Sequence, residues 1–199
     1  MAKIVLLGAG SSIFCKNVLG DCLLTPSLAD AEIALCDIDG EKLAQSERLI
    51  RRLNEKLGTR ATITASTDRR AVLKGADYVI NTISVGAYDP YIIADFEIPQ
   101  KYGLEQTVAD TLGVGGLFRG LRTIPVMLEI ARDMEELCPD AWLLNYTNPM
   151  AMLTAAMLLL IFKPEKEKLA WGLLIVSWAV VVLMYVGHVS NAILGVLNI

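Results

Sequence analysis

Apolar and amphipathic blocks alternate through the first 150 residues of the chain. Five short segments have the composition of strands in a parallel sheet, where both faces of a strand are buried. Helical patterns and turn residues separate them at the distances expected of βαβ units. This pattern predicts an α/β fold. The predicted strands are Lys3–Leu7, Glu32–Cys36, Ala61–Ala65, Ala76–Ile80 and Ala141–Leu144.

Three helices are predicted between these strands. The first begins at Ser11 or Ser12, either of which can cap it, and extends to about Leu24. The second, Glu41–Leu57, has apolar residues along one helical face and is strongly amphipathic. The third is short and covers Asp68–Lys74. Strand and helix therefore alternate in the order of a parallel sheet with flanking helices.

A glycine turn at the end of the first strand is a candidate phosphate site. It brings backbone N–H groups together with the positive end of a helix dipole, which suits a pyrophosphate. The turn reads GxGxxI, whereas the usual pattern is GxGxxG. The third glycine of that pattern serves helix packing rather than phosphate contact, so its absence leaves phosphate contact possible. We therefore predict a Rossmann-like dinucleotide site. Its candidate residues are Gly8, Gly10, Ser11, Ser12, Ile13 and Phe14.

Polar residues at the ends of two further strands extend this candidate site. Asp37 follows Gly10 by 27 residues, roughly where a dinucleotide fold places its ribose-binding carboxylate. An acid there favours NAD over NADP because it would repel a 2′-phosphate. Alternatively, Asp37 or Asp39 simply caps the next helix. Asn81 and Thr82 end the fourth strand and are either cofactor neighbours or part of a turn.

Composition excludes several classes of function. The 199 residues are 54% hydrophobic, which suffices for a core, and the net charge of −4 argues against a nucleic-acid partner. The four cysteines form no CxxC pair, so neither a structural zinc site nor a disulfide framework is expected. His188 is the single histidine. The apolar run after Met1 is too short for a signal peptide, which predicts a cytoplasmic protein.

Seven segments together resemble glycoside hydrolase family 4, and within it the melibiase-type α-galactosidases, with the α-galacturonidases close behind. The likeness runs in order from Met1 to about Met157. The segments are Gly8–Phe14, Asp37–Asp39, Asp95–Pro99, Lys101–Leu104, Ala109–Gly113, Arg119–Pro125 and Asn145–Met150.

The resemblance implies an NAD-dependent glycosidase that acts on a small-molecule glycoside and is usually a homo-oligomer. In this family NAD oxidises the sugar at C3, a base removes the C2 proton, and the glycosidic oxygen leaves from C1. A divalent metal, usually manganese, polarises the C2 and C3 oxygens. The hydride then returns, so NAD is not consumed.

The resemblance also assigns candidate substrate residues. Asn148, held before Pro149, would face the C2–C3 region of the sugar, although a turn-forming role is the alternative. Leu112–Gly120 is rich in glycine and is expected to be a flexible loop against a ligand rather than a helix. Asp110 and Arg119 are its candidate polar groups, or else plain surface charges.

The chain departs from the family pattern in its metal ligands and its base. The family's Gly-Leu-Cys-His-type motif is missing, no cysteine follows Cys138, and the catalytic tyrosine belongs to a larger second domain. We therefore assign no metal ligand and no catalytic residue, and expect an incomplete N-terminal portion of such an enzyme. The alternatives are a non-catalytic NAD-binding fragment and a malate/lactate dehydrogenase-type enzyme. Dehydrogenase chemistry is disfavoured because His188 lies in an apolar segment.

Residues 158–199 do not resemble the family, which predicts a division into an NAD-binding domain, 1–157, and an apolar tail. All but five of the 18 basic and 22 acidic side chains lie before residue 141, and those five lie in Lys163–Lys168. Leu169–Gly187 contains no charge over 19 residues, long enough to span a bilayer. The tail is a membrane helix, a buried core segment or an aberrant sequence, and any membrane association depends on it.

Overall fold

The computed structural model describes residues 1–86, 88–105, 113–150 and 153–154. These form two compact units. The first comprises Met1–Ser84 and Glu129–Thr147, and the second comprises Val85–Leu128 and the residues from Asn148 onward.

The first unit is built on a five-stranded parallel sheet. Its strands lie in the order β3-β2-β1-β4-β5, so that β1 is central. Leu6 of β1 lies opposite Leu35 on one side and Ile80 on the other. This order matches the first five strands of a Rossmann sheet and confirms the predicted fold class. The strands are β1 Lys3–Leu7, β2 Glu32–Cys36, β3 Thr62–Ser66, β4 Tyr78–Asn81 and β5 Trp142–Asn145.

Three helices of this unit agree with the sequence pattern to within two residues. They are α1 Ser12–Leu24, α2 Gly40–Leu57 and α3 Arg69–Leu73, and a short 3-10 turn, Pro26–Leu28, follows α1. Asp39 caps α2, where its carboxylate accepts hydrogen bonds from the backbone N–H groups of Glu41 and Lys42. Asp68 caps α3 in the same manner. Local capping therefore fixes where these helices begin.

One face of the sheet packs against α1 and α2. Leucine and isoleucine side chains from four strands meet apolar side chains of the two helices in a buried cluster. Strand residues of opposite parity, such as Val5 and Val79, are buried on the other face. Burial of both faces explains why the strands are almost continuously apolar in sequence. The cluster includes Ile4, Leu6, Ile33, Leu35, Ile63, Ile80, Leu19, Leu23, Leu43 and Ile50.

An ion-pair cluster joins α3 to the helix that precedes β5. Asp133 is 8% exposed and accepts hydrogen bonds from the guanidinium groups of Arg69, at 2.7 Å, and Arg70. Arg70 also pairs with Glu136. Burial raises the pKa of Asp133, but the hydrogen bonds from both arginines outweigh it and lower the pKa overall. These ion pairs therefore tie α3 to the C-terminal part of that helix.

The second unit contains the segment Tyr88–Ile92, which is interrupted by the extended backbone of Asp89 (φ −107°, ψ 128°) and leads directly into α4, Ile93–Lys101. The long helix α5, Gly113–Leu137, begins in this unit and ends in the first. The expected loop over Leu112–Gly120 is therefore wrong from Gly113 onward, where the chain is helical. Each helical glycine costs about 1 kcal/mol, and burial of the long apolar face of α5 outweighs that cost. That face includes Ile124, Met127, Leu128, Ile130 and Met134.

The predicted tail lies outside the described residues, and so does the membrane helix predicted at Leu169–Gly187. The proposed division at residue 157 stays a prediction for the same reason. Among the helices that the structure describes, none combines the length and apolar character needed to cross a membrane.

Candidate functional site

The glycine turn after β1 is held between β2 and β4. The backbone N–H groups of Gly8 and Ala9 both donate to the carbonyl of Cys36, at 2.9 and 3.0 Å. From the other side, the hydroxyl of Thr82 donates to the carbonyl of Leu7 at 2.9 Å. Gly8 has φ +85°, and a Cβ there would lie 2.7 Å from the carbonyl carbon of Thr82. Only glycine fits this position without displacing the end of β4.

The glycine turn leads directly into α1, whose first residues are exposed. Ser11 is the N-cap in an extended conformation, and its hydroxyl makes no capping hydrogen bond within the described part of the chain. The N–H groups of Ser12, Ile13 and Phe14 belong to the first turn, where no carbonyl of the same helix is one turn behind. No acidic residue lies in that turn. The arrangement is a helix N-terminus open to an anion.

Asp37 lies against the second glycine of the turn. One of its carboxylate oxygens accepts a hydrogen bond from the N–H of Gly10 at 2.7 Å, and the other accepts from the N–H of Asp39 at 2.9 Å. A Cβ at Gly10 would lie 2.7 Å from the first of these oxygens. The capping alternative therefore applies to Asp39, which caps α2, whereas Asp37 contacts the glycine turn.

Exposed apolar side chains surround these polar groups. Ile38 follows Asp37 and is 98% exposed, and Ile13 is 72% exposed beside the first turn of α1. Phe14 is also exposed. Sequence reasoning did not single out Ile38, although an isoleucine between two aspartates is a detectable signal. These side chains are apolar surface that adjoins, along the chain, Asp37 and the start of α1.

Asn81 is buried in a polar network at the ends of β4 and β5. Its amide nitrogen donates to the amide oxygen of Asn145 at 2.8 Å and to the hydroxyl of Thr147 at 3.1 Å. The Thr147 hydroxyl donates in turn to the carbonyl of Ile83 at 2.9 Å. Sequence reasoning missed Asn145 and Thr147 as partners, because they lie more than 60 residues away in the chain. These contacts of Asn81, together with those of Thr82 to the end of β1, hold the carboxyl ends of the central strands in place.

The second unit contains an ion pair between a buried aspartate and a half-buried arginine. Asp95 on α4 is 6% exposed and accepts hydrogen bonds from both terminal nitrogens of the Arg122 guanidinium on α5, one of them at 2.7 Å. The guanidinium also lies over the ring of Tyr91, 5.6 Å from its centroid. The hydrogen bonds that Arg122 donates to the Asp95 carboxylate raise the pKa of Arg122, against the opposing effect of burial. Both residues belong to the motif segments, yet no role was predicted for either.

The three predicted substrate residues fall in different places. Arg119 is half-buried on α5, and its carbonyl accepts a hydrogen bond from the Thr123 hydroxyl at 2.7 Å. Asn148 is half-buried, directly follows the first unit, and forms a cis peptide with Pro149. Asp110 lies outside the described residues. Their substrate roles remain predictions.

Neither a metal centre nor a reactive thiol is found in the described ranges. No group of three His, Cys, Asp or Glu side chains there could hold a metal ion. Burial raises the pKa of the Cys15 thiol to about 11. Burial, assisted by the charge of Asp37, raises the pKa of Cys36 to about 11 as well. Thiols with such pKa values are poor nucleophiles at neutral pH.

Comparison with known proteins agrees with this geometry. The profile of the Family 4 glycosyl hydrolases matches residues 3–166. The chain is 58% identical over 158 residues to the alpha-galactosidase of Bacillus subtilis (strain 168). This alignment covers 79% of this chain and 37% of the relative. It is 43% identical over 149 residues to the alpha-glucosidase of Erwinia rhapontici, covering 75% of this chain and 33% of that relative.

A solved structure gives the same result in three dimensions. The chain is similar, with a TM-score of 0.68 and 26% identity, to a 6-phospho-beta glucosidase from Thermotoga maritima determined with manganese, NAD+ and glucose-6-phosphate. The match covers 84% of this chain and 38% of that one. The chain thus spans little more than a third of the length of these relatives. The resemblance drawn from the motifs is confirmed, and the chain belongs to the Family 4 glycosyl hydrolases.

Proposed function

We propose that this chain is the NAD-binding portion of a family 4 glycosidase that acts on α-galactosides. The observation that carries the proposal is the contact between Gly10 and Asp37, which joins the open N-terminus of α1 to a carboxylate at the end of β2. A pyrophosphate needs the first group and an adenosine ribose needs the second. The cofactor present in the Thermotoga maritima relative supports the same assignment.

The described residues fit this cofactor closely. The N–H groups at the start of α1 would hold the pyrophosphate. A carboxylate has about four acceptor positions, and Asp37 uses two of them on Gly10 and Asp39, so two are left for ribose hydroxyls. Ile38 offers an apolar surface that an adenine ring would cover. NAD bound there would supply a reversible hydride acceptor.

The described residues do not fit manganese. Because no three suitable ligands converge among them, we assign no catalytic step to a metal held by this part of the chain. A catalytic base is likewise not assigned. The second candidate function is therefore a non-catalytic NAD-binding fragment. The family match disfavours the dehydrogenase alternative.

The substrate class rests on the relatives. The 58% identity to an alpha-galactosidase favours an α-galactoside over the α-glucoside suggested by the more distant Erwinia rhapontici protein. Asn148, Arg119 and Asp110 are the residues we propose for sugar contact. A cytoplasmic location and a homo-oligomeric state are proposed with this function.

Isothermal titration calorimetry with NAD and NADP tests the cofactor assignment. We expect NAD to bind more tightly than NADP, because the Asp37 carboxylate repels a 2′-phosphate. Asp37→Ala is expected to weaken NAD binding by roughly 1–3 kcal/mol, since ribose hydroxyls and the Gly10 N–H then lose a charged partner. Equal affinity of the unsubstituted chain for both cofactors would contradict the assignment.

A turnover assay tests whether the chain alone holds a complete catalytic site. An α-galactoside is incubated with the chain, NAD, Mn²⁺ and a reductant, and release of the aglycone is measured. NAD binding without turnover is expected of this chain alone. Metal-dependent release by the chain alone would show a complete catalytic site and reject the fragment interpretation.

A further inference from the structure

A buried hydroxyl just after β5 holds the backbone just after β4. Thr147 is 3% exposed. Its hydroxyl accepts a hydrogen bond from the side-chain amide of Asn81 at 3.1 Å and donates one to the carbonyl of Ile83 at 2.9 Å. The pairing of β4 with β5 ends at Asn81 and Asn145, so Ile83 lies beyond it. The Thr147 hydroxyl therefore extends the contact between the two chain segments past the end of the sheet.

The Thr147 hydroxyl is itself held in place. The N–H of Thr147 donates to the side-chain oxygen of Asn145 at 3.3 Å, and the side-chain nitrogen of Asn145 donates to the carbonyl of Thr147 at 3.1 Å. A hydroxyl has one proton, and Thr147 uses it on Ile83. Loss of this hydroxyl deprives the Ile83 carbonyl of that donor, whereas Asn81 keeps its bond to Asn145.

The glycine turn is anchored by other bonds. Its N–H groups are bonded to the end of β2, and Thr82 donates to the carbonyl of Leu7 through both its N–H and its hydroxyl, each at 2.9 Å. None of these bonds involves Thr147. The hydroxyl of Thr147 acts one residue further along the chain, on Ile83. The site for the pyrophosphate and the backbone after β4 are thus held by separate sets of hydrogen bonds.

The place of Ile83 in the sheet indicates which part of a cofactor this bond serves. The strand order reverses between β1 and β4, so β2 and β3 lie on one side of the reversal and β4 and β5 on the other. A dinucleotide lies across such a reversal, with one nucleotide on each side. Asp37, at the end of β2, is the proposed partner of the adenosine ribose. The nicotinamide half of NAD therefore belongs on the side of β4 and β5.

We propose that Thr147 is a positioning residue for the nicotinamide half of NAD. By fixing the backbone at Ile83, its hydroxyl sets the shape of the β4 side of the crevice without contacting the adenosine half. This role goes beyond the proposed cofactor assignment and rests on it. It predicts that loss of the hydroxyl affects the two halves of the cofactor unequally.

Calorimetric titration of the full-length chain with NAD and with ADP tests this prediction. Thr147→Val replaces the hydroxyl with a methyl group of similar size. The Kd for NAD is expected to rise about three- to tenfold, as for the loss of one hydrogen bond. ADP carries the adenosine and the pyrophosphate but no nicotinamide riboside, and its Kd should change by less than about twofold.

The ratio of the two Kd values separates positioning from stability. Partial unfolding of a variant raises both Kd values by the same factor, because the folded fraction limits both ligands alike. A ratio that changes therefore reports the shape of the site and not the amount of folded protein. Thr147→Ala, which also removes the hydroxyl, gives a second measurement and should change the ratio in the same direction.

Two matched variants serve as controls. Thr147→Ser keeps the hydroxyl and should retain the ratio of the parent chain. Thr59→Val removes a hydroxyl that bonds to Asn54, after the end of α2 and before the start of β3. That position lies at the opposite end of the parallel strands from Ile83, so both Kd values should be unchanged.

An equal rise in the Kd values for NAD and ADP in Thr147→Val would overturn the proposal, because a purely structural role predicts it. An unchanged Kd for NAD would also overturn it, and so would a Thr147→Ser variant that behaves like Thr147→Val. These results leave the cofactor assignment intact. Absence of NAD binding by the parent chain would instead refute that assignment and this proposal together.

Discussion

Adding one methyl group at Gly10 tests the proposed cofactor site most directly. A Cβ there would lie 2.7 Å from a carboxylate oxygen of Asp37 and 2.8 Å from its carboxyl carbon. Asp37 has a short side chain that is held by the N–H groups of Gly10 and Asp39. It cannot retreat without breaking at least one of these bonds. Gly10→Ala therefore moves the carboxylate that we assign to the ribose.

The expected loss follows from the bond that is displaced. The hydrogen bond from the Gly10 N–H to the carboxylate is 2.7 Å long. A hydrogen bond to a charged group contributes about 1.5–3 kcal/mol. If the ribose contact is lost with the shift of Asp37 and is of similar strength, the Kd for NAD rises roughly 10- to 150-fold, because each 1.4 kcal/mol corresponds to a factor of ten.

Calorimetric titration with NAD measures this change, and Gly20→Ala is the matched control. A Cβ at Gly20 would meet only a Leu53 methyl group, at 3.5 Å, which is an ordinary contact. The control should retain NAD affinity and stabilise α1 by up to about 1 kcal/mol. The reasoning fails if Gly10→Ala binds NAD like the parent chain while its circular dichroism is unchanged. It also fails if both variants lose affinity equally.

Three further predictions concern groups outside this contact. Arg122→Leu leaves the buried carboxylate of Asp95 unpaired and should lower the free energy of unfolding by about 3–5 kcal/mol, as measured by urea titration. Adding Asp95→Asn should recover part of this loss, because the unpaired charge is then removed. Asn81→Leu removes a buried donor from the network at the ends of β4 and β5, and should lower the free energy of unfolding by about 1–3 kcal/mol in the same titration. A decrease of less than about 0.5 kcal/mol would contradict a structural role for this network. Cys15 and Cys36 should resist iodoacetamide near pH 8 in the folded chain and react after unfolding. The reason is that a pKa of about 11 leaves roughly one thiol in a thousand as thiolate at that pH. Labelling is measured by mass spectrometry, and rapid labelling of the folded protein would contradict the burial of these thiols.

The glycine turn and the helix that follows it were predictable because all of their determinants are local. Gly8, Gly10 and the start of α1 lie within a few residues of one another, and their roles depend on backbone conformation and helix polarity. Asp37 was predictable because the length of one βα unit fixes its distance along the chain. Its bond to the Gly10 N–H was not predicted, since two aspartates at the end of one strand differ only in where the backbone directs them.

The polar network around Asn81 shows what the sequence could not predict. Asn145 ends β5 and Thr147 follows it, more than 60 residues after Asn81 in the chain, and the pairing of β4 with β5 brings them to Asn81. A local reading of Asn81-Thr82 gives a polar strand end and nothing about its partner. The start of α5 was misread for a related reason. Glycine propensity is a local cost of about 1 kcal/mol per residue, and the buried face of a 25-residue helix outweighs it.

Cofactor binding and sugar chemistry are separable in this chain because their groups come from different distances along it. Every residue proposed to hold NAD lies between Gly8 and Thr82, at the carboxyl ends of β1, β2 and β4, which pair directly with one another, or in the turn and first helical residues that follow β1. These contacts need no other part of a family 4 polypeptide to form. A metal site and a base need groups that do not converge in the described ranges. For this reason we expect NAD affinity to survive in this chain where turnover does not.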